Sequence, residues 1–189
     1  MTVAYIVRCN FNDPSRESDW NAWYSGPKLV QMLSKPYFLT CQRFHKVAGE
    51  GRNYLAYWTL ASPDALTTTE YTSDWGFFEW RPFIIDWSRD LFEIHGGGDV
   101  QAHGVETSEW LRFVSFDGMT EAAAGTEREK WASRDPGLVW HRSVGLDEHT
   151  PFFGVRVDKA ATLTAIARPN EAIYRPISAL THTPRKEAA

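Results

Sequence analysis

The feature that most limits how this chain can fold is an order of elements that occurs twice along it. Ala4 to Phe11 alternates and is rich in β-formers, so it reads as a strand, closed by Asn12-Asp13-Pro14. Asp13 as N-cap with Pro14 at the first helical position opens a helix. Trp20, Trp23 and Tyr24 carry it at helical spacing, Gly26-Pro27 interrupts it, and Leu29, Val30, Met32 and Leu33 resume it. Phe38 to Val47 and Tyr54 to Leu60 read as strands around a Gly49-Glu50-Gly51 hairpin loop. Ser62-Pro63-Asp64 starts a second helical stretch toward Trp75, and Pro82 to Phe92 is a fourth strand. A glycine-rich stretch, Gly96-Gly97-Gly98, then breaks the pattern. After it come a strand at Trp110 to Phe116, a helix capped by Thr120 and running to about Ala132, and strands at Leu138 to Val144 and Phe152 to Asp158. A short helix at Lys159 to Ala167 and a strand at Ala172 to Leu180 complete the second pass.

The order β-α-β-β-α-β is the ferredoxin-like split βαβ arrangement. Leu60-Ala61-Ser62-Pro63-Asp64-Ala65-Leu66 aligns with Val157-Asp158-Lys159-Ala160-Ala161-Thr162-Leu163, which gives a repeat of about 100 residues. A four-stranded sheet of this kind carries helices on one face only, so the other face needs cover. Two such sheets facing each other supply it. The expected fold is therefore α+β: two tandem ferredoxin-like halves facing each other as an α+β barrel, the second degenerate. The halves are expected at residues 1–95 and 109–182, with a linker at 96–108 and a polar tail at 183–189. The space between the sheets can hold a small molecule. A barrel closed within one chain gives a monomer and one closed between chains a homodimer, and the sequence leaves both open.

Composition narrows the partners. The net charge is −4 and the pI near 5.9, with no basic face, so nucleic acid is not expected. No apolar stretch approaches the roughly 20 residues that span a bilayer, so no membrane contact is expected. The N-terminus lacks a basic n-region, and Cys9 and Cys41 sit inside strand-like runs as buried free thiols; a cytoplasmic location is expected. No dinucleotide or P-loop signature occurs. His95, His103 and Asp99 match no metal-site spacing, and His95-Gly96-Gly97-Gly98 has no Gly-x-Ser-x-Gly elbow to serve. Neither metal nor cofactor is expected. Nine Trp, eleven Phe and seven Tyr are enough both to fill a core and to wall a pocket for a flat ligand.

Strand alternation sorts the candidate residues. On the first strand Arg8 and Asn10 oppose the apolar Tyr5, Val7 and Cys9, and so point into the barrel to bind a ligand oxygen. On the second, Cys41, Arg43 and His45 share a face. His45 is the expected proton-transfer residue and Arg43 the oxyanion stabiliser. If that face meets the helices instead, the polar work passes to Gln42 and Lys46. The repeat places His141 and Arg142 on the corresponding strand of the second half. Asp86, Ser88 and Asp90 read as the exposed polar face of an edge strand, or else as the source of a buried base. The cluster Trp75, Phe77, Phe78 and Trp80 walls a pocket or caps the barrel end. Trp75, Phe78, Tyr57, Arg8, Asn10, His141 and Arg142 are the candidate substrate-binding set.

Several short motifs carry a family resemblance. They are Trp23-Tyr24, Leu33 with Pro36, Phe38-Leu39-Thr40-Cys41-Gln42-Arg43-Phe44, Tyr54-Leu55-Ala56-Tyr57-Trp58 and Ser62-Pro63-Asp64-Ala65-Leu66. The second half echoes them with Asp135-Pro136-Gly137-Leu138 before His141-Arg142. Through these the chain resembles EthD-like and related members of the dimeric α+β barrel superfamily. Many members carry a Glu-His pair after the aromatic pair; this chain has Ser25-Gly26-Pro27, so no family histidine transfers. The superfamily includes cofactor-free isomerases, cyclases, dehydratases and oxygenases, and some haem enzymes. The resemblance implies a cofactor-independent lyase, isomerase or cyclase moving a proton on a small aromatic or polyketide-like molecule in the barrel cavity. A non-catalytic binding or scaffold protein and a haem-dependent member are its alternatives, since fold does not give function.

Overall fold

A computed structural model describes residues 2–95, 104–159 and 168–184. The first stretch holds β1 (Val3–Phe11), α1 (Glu17–Trp23), a π-helical turn (Tyr24–Lys28), α2 (Leu29–Leu33), β2 (Phe38–Gly49) and β3 (Tyr54–Leu60). A 3-10 turn (Pro63–Leu66), α3 (Thr69–Thr72), a second 3-10 turn (Phe78–Phe83) and β4 (Ile84–His95) follow. The rest comprises β5 (Glu109–Ser115), α4 (Glu121–Arg134), β6 (Val139–Leu146), β7 (Phe152–Lys159), β8 (Glu171–Pro176) and the short β9 (Thr181–His182).

The strands form one antiparallel sheet in the order β3-β1-β4-β6-β7-β5-β8-β2-β9, and β2 also pairs with β3. Eight strands thus close on themselves as a barrel, and β9 extends one side of β2. Within residues 3–95 the order is β4-β1-β3-β2, and within residues 109–176 it is β8-β5-β7-β6. Two seams join these groups. One is β4–β6, from Asp90 opposite Leu146 to His95 opposite Trp140; the other is β2–β8, from Phe44 opposite Pro176 to Gly49 opposite Ala172.

Three cores hold the barrel together. Outside β1, β3 and β4, Tyr5, Val7, Cys9 and Trp58 pack against Trp20, Tyr24, Leu29, Met32 and Leu33 of the helical layer. Inside, Phe44, Tyr57, Phe92, Phe113, Phe153 and Tyr174 fill the middle. Phe153 stacks on Phe113 at 5.1 Å and meets Phe92 edge-on at 4.5 Å. Side chains fill the middle of an eight-stranded barrel in this way. The third core lies under α4, where Ala124 and Trp131 meet Phe116, Trp140 and Phe152. There Trp140 lies directly over Gly154, so that a Cβ on Gly154 would stand 2.9 Å from the indole.

Local chemistry moved several expected boundaries. The Asp13 carboxylate accepts the backbone N–H of Ser15 at 3.0 Å, which makes a turn, and α1 begins only at Glu17. Pro27 has no N–H, and the chain answers with a π turn that continues into α2 rather than with a break. The stretch after Ser62 divides into a 3-10 turn and α3, and Pro82 lies in a 3-10 turn before β4. β4 is not an edge strand. Asp86, at φ 50°, forms a bulge opposite Cys9, between the pairs Arg8–Ser88 and Asn10–Ile85. The bulge turns Trp87 toward the outer core and leaves Ser88 and Asp90 fully buried, which corrects the expected exposed polar face.

Residues 96–103 of the expected linker, 160–167 of the expected helix and 185–189 of the expected tail lie outside the described residues. Lys159 ends β7. The linker's last residues dock firmly: the Gln42 side-chain amide donates to the Val105 carbonyl at 2.8 Å and accepts its N–H at 2.9 Å. Val105 joins the inner core. Among the described residues no helix is long and apolar enough to cross a membrane.

Candidate ligand pocket

The predicted residues separate into four places. Arg43 and His45 do share a face of β2, and that face is the outer one. Arg43, 1% exposed, is ringed by Tyr24, Trp20 and Tyr54, with its guanidinium carbon 4.1, 4.9 and 5.8 Å from their centroids. It donates to the Asn21 carbonyl at 3.1 Å, the Asn21 side chain at 2.9 Å and Ser25 Oγ at 2.8 Å, so it ties β2 to the distorted helix. His45 borders an open groove with Tyr54, Glu17 and Arg175; burial and the nearby Arg175 lower its pKa.

At one barrel end Arg8 points inward, as expected, but its guanidinium is committed to protein. It donates to Asp117 at 3.0 Å and Ser115 at 3.3 Å and faces Asp90 at 3.6 Å. Burial pushes Asp90 up despite the opposing pull of the His149 N–H and Arg8. Burial also pushes on Asp117, but Arg8 and Arg52 outweigh it and hold that carboxyl low. Asn10 clamps the loops there, accepting from Asn53 N–H at 2.7 Å and donating to Asp86 at 2.7 Å. A 140 Å³ cavity opens beside Arg8, with Phe113, Ser115 and Tyr174 in its wall.

Tyr57 and His141 meet in the barrel centre, the Tyr57 hydroxyl 2.9 Å from His141 Nε2, with the imidazole stacked on Phe153 at 4.2 Å. Burial lowers the His141 pKa to about 3, so the ring is neutral at physiological pH. Arg142 points the opposite way and pairs with Glu121 at 3.1 Å and Glu93 at 3.9 Å on the exterior.

The fourth place is a pocket between the outer face of β1, β3 and β4 and the helical layer. Tyr5, Val7 and Trp58 from the strands, Tyr24, Lys28 and Met32 from the helices, and Tyr71, Trp75, Phe77 and Trp87 enclose it. Most of its wall is aromatic, and a few polar groups converge on it. Tyr5 and Tyr71 hydroxyls stand 3.1 Å apart, and Arg89 Nη1 reaches the Tyr71 hydroxyl at 3.5 Å. Burial, reinforced by Tyr71, raises the Tyr5 pKa, so the phenol stays protonated.

The unusual member is Lys28. It is 5% exposed, its Nζ donates to Gln31 at 2.9 Å, and it lies 4.8 Å from the Phe78 centroid. Desolvation lowers its pKa to about 8, with Asp74 opposing and Lys35 assisting. Gln31 passes the interaction on to Asp74 at 2.6 Å, and Asp74 faces Lys35 at 3.7 Å. A desolvated amine of this kind can take up and release a proton near neutral pH.

Trp75 and Phe78 were expected at the barrel cavity or its end; the structure puts them instead at this outer pocket and its rim. Sequence reading missed Lys28, Tyr5 and Tyr71. A signal existed for Lys28: Trp20, Tyr24, Lys28 and Met32 recur every four residues as a single buried stripe, and the lysine is its one charged member. Among the described residues, no group of three or more His, Cys, Asp or Glu converges to hold a metal ion.

No protein-family profile matches the chain, and no curated protein matches it in sequence. Solved structures do. An anthrone oxidase-like protein is similar at a TM-score of 0.60 and 8% identity, over 100% of this chain and 96% of the other. A Fusobacterium nucleatum protein provisionally assigned as a monooxygenase is similar at a TM-score of 0.52 and 10% identity, over 94% and 93% of the two chains. At such identities the likeness establishes the shared α+β barrel fold.

Proposed function

We propose that this protein binds a small, flat, oxygen-bearing aromatic molecule in the pocket beside Lys28 and withdraws a proton from it without a cofactor. The observation that carries the reading is Lys28: a buried amine, ligated by a neutral amide, in an aromatic-walled pocket. Its pKa of about 8 leaves roughly a tenth of the amine free at pH 7. The negative charge that develops on the ligand oxygen is stabilised by the Tyr5 and Tyr71 hydroxyls and by the Arg89 guanidinium behind them, held in place before the reaction. This places the chemistry outside the barrel, not in its filled centre.

The anthrone oxidase-like relative suggests a probe. Anthrone has an acidic ring methylene, because its anion is an aromatic phenolate. The test is deuterium exchange of that methylene in heavy water, followed by NMR. The wild-type protein is expected to speed exchange, and Lys28→Met to slow it by about 10²–10⁴-fold. Equal exchange in both proteins rejects the reading. Oxygen uptake in the same solution separates an oxidase, which passes the carbanion's electrons to O2, from an isomerase or lyase, which does not.

The strand orders also support reading residues 1–95 and 109–182 as tandem ferredoxin-like halves. Each runs fourth-first-third-second, and each lends its fourth strand to the other's second.

A further inference from the structure

Trp75 lies between two near-parallel aromatic faces. Its ring centroid is 5.9 Å from Tyr71 at 9° and 5.9 Å from Trp87 at 23°. The Arg89 guanidinium sits 4.5 Å from the same ring. Yet Trp75 is 36% exposed and belongs to neither α3 nor the following 3-10 turn. The next residue, Gly76, has φ 115° and open space where a Cβ would go, so backbone conformation alone demands glycine there.

Trp75, Gly76, Phe77 and Trp87 line two cavities at once. The inner one, reaching Lys28, has about 30 Å³ of space for water; the outer one, reaching Phe78 and Arg81, has about 340 Å³. The inner cavity as it stands is too small for a fused-ring ligand, and Trp75 is part of the partition. Two donors next to it, Trp87 Nε1 and Arg89 Nε, are buried with no hydrogen-bond partner among the described residues, Arg89 Nε facing Asp147 only at ion-pair distance, 4.0 Å. Buried donors left unpaired are costly, and an acceptor arriving with a ligand relieves that cost.

We propose that the Trp75 indole holds the ligand's place: it swings outward about Gly76, and a planar fused-ring molecule takes its slot between Tyr71 and Trp87. A carbonyl or phenolate oxygen of that molecule accepts from Trp87 Nε1 and Arg89 Nε. Trp75 is then the residue that sets specificity. It admits planar molecules with two or three fused rings and an oxygen at one edge, and rejects bent or oxygen-free ones. The inference rests on the pocket reading above and deepens it.

The test compares wild type, Trp75→Phe and Trp75→Ala in the full chain, each checked by thermal melting, with 2-naphthol, anthrone and indole as probes. Because the indole no longer competes for the slot, Trp75→Ala is expected to bind 2-naphthol about tenfold more tightly and with faster association. Trp75→Phe should fall between it and wild type. Indole is expected to saturate Trp75→Ala and to leave wild type untouched. If all three proteins bind 2-naphthol alike and none takes up indole, while Lys28-dependent exchange of anthrone persists, the slot proposal fails and the pocket reading stands. If no probe binds any of them and exchange is absent, both fail together.

Discussion

At the scale of single residues, burial decides which ionisable groups do chemistry and which only carry structure. Lys28 and His141 are both desolvated and both lowered, to about 8 and about 3. Only Lys28 lands where a proton can be exchanged near neutral pH. Proton abstraction is therefore expected to rise with pH through a midpoint near 8, as the amine loses its proton, and the rising limb should vanish in Lys28→Met; a rate profile from pH 6 to about 10 checks this. For His141 the linkage sign is clear. The unfolded ring binds a proton near pH 6.5 and the folded ring only near 3, so between those values the unfolded state binds more protons. Stability is expected to fall as the solution is acidified through that window, and His141→Phe should flatten this part of the curve of urea midpoint against pH. Arg8→Met is a different case. It strands the fully buried Asp90, and an uncompensated buried charge costs about 3–5 kcal/mol, which denaturant titration at pH 7 would read.

At the scale of the elements, alternation was legible and orientation was not. Arg43 and His45 do sit side by side on β2, but the pattern could not say which way they face, because β1 and β3 are buried on both sides. In such strands polar residues do not mark the solvent, so an inward Arg8 and an outward Arg43 look alike in sequence. The residue on which the proposed function rests lies in the helical layer, where one lysine takes an apolar place in a regular stripe. Arg43→Ala should thus lower stability by about 2–5 kcal/mol through a lost buried side chain, while exchange per folded molecule is retained. The bulge at Asp86 was equally hidden, since no glycine announces it, and it re-aims Trp87 into the pocket. Gly154 in β7 was not singled out either. Its need arises from Trp140 on the neighbouring strand, and Gly154→Ala is expected to cost about 1–3 kcal/mol by overpacking, measurable as a drop in Tm.

At the scale of the whole molecule, the order of elements in the first 95 residues was readable because each strand had its own turn signals. The closure of the barrel was not readable from pattern; it followed from the need to cover the open face of a half-covered sheet. Among the described residues closure leaves no long unpaired edge, so light scattering is expected to give the 21.6 kDa mass of one chain. The closing seam has a further meaning for how the protein is made. Phe44 pairs with Pro176 and Gly49 with Ala172, so β2 is synthesised well over a hundred residues before the strand that covers it. While the ribosome works through that interval, the growing chain presents the free edge of β2 and an uncovered inner face bearing Phe44 and Tyr57. The risk of misassociation is concentrated in this stage of biogenesis, and chaperones that shield open strands should engage the nascent chain until β8 emerges.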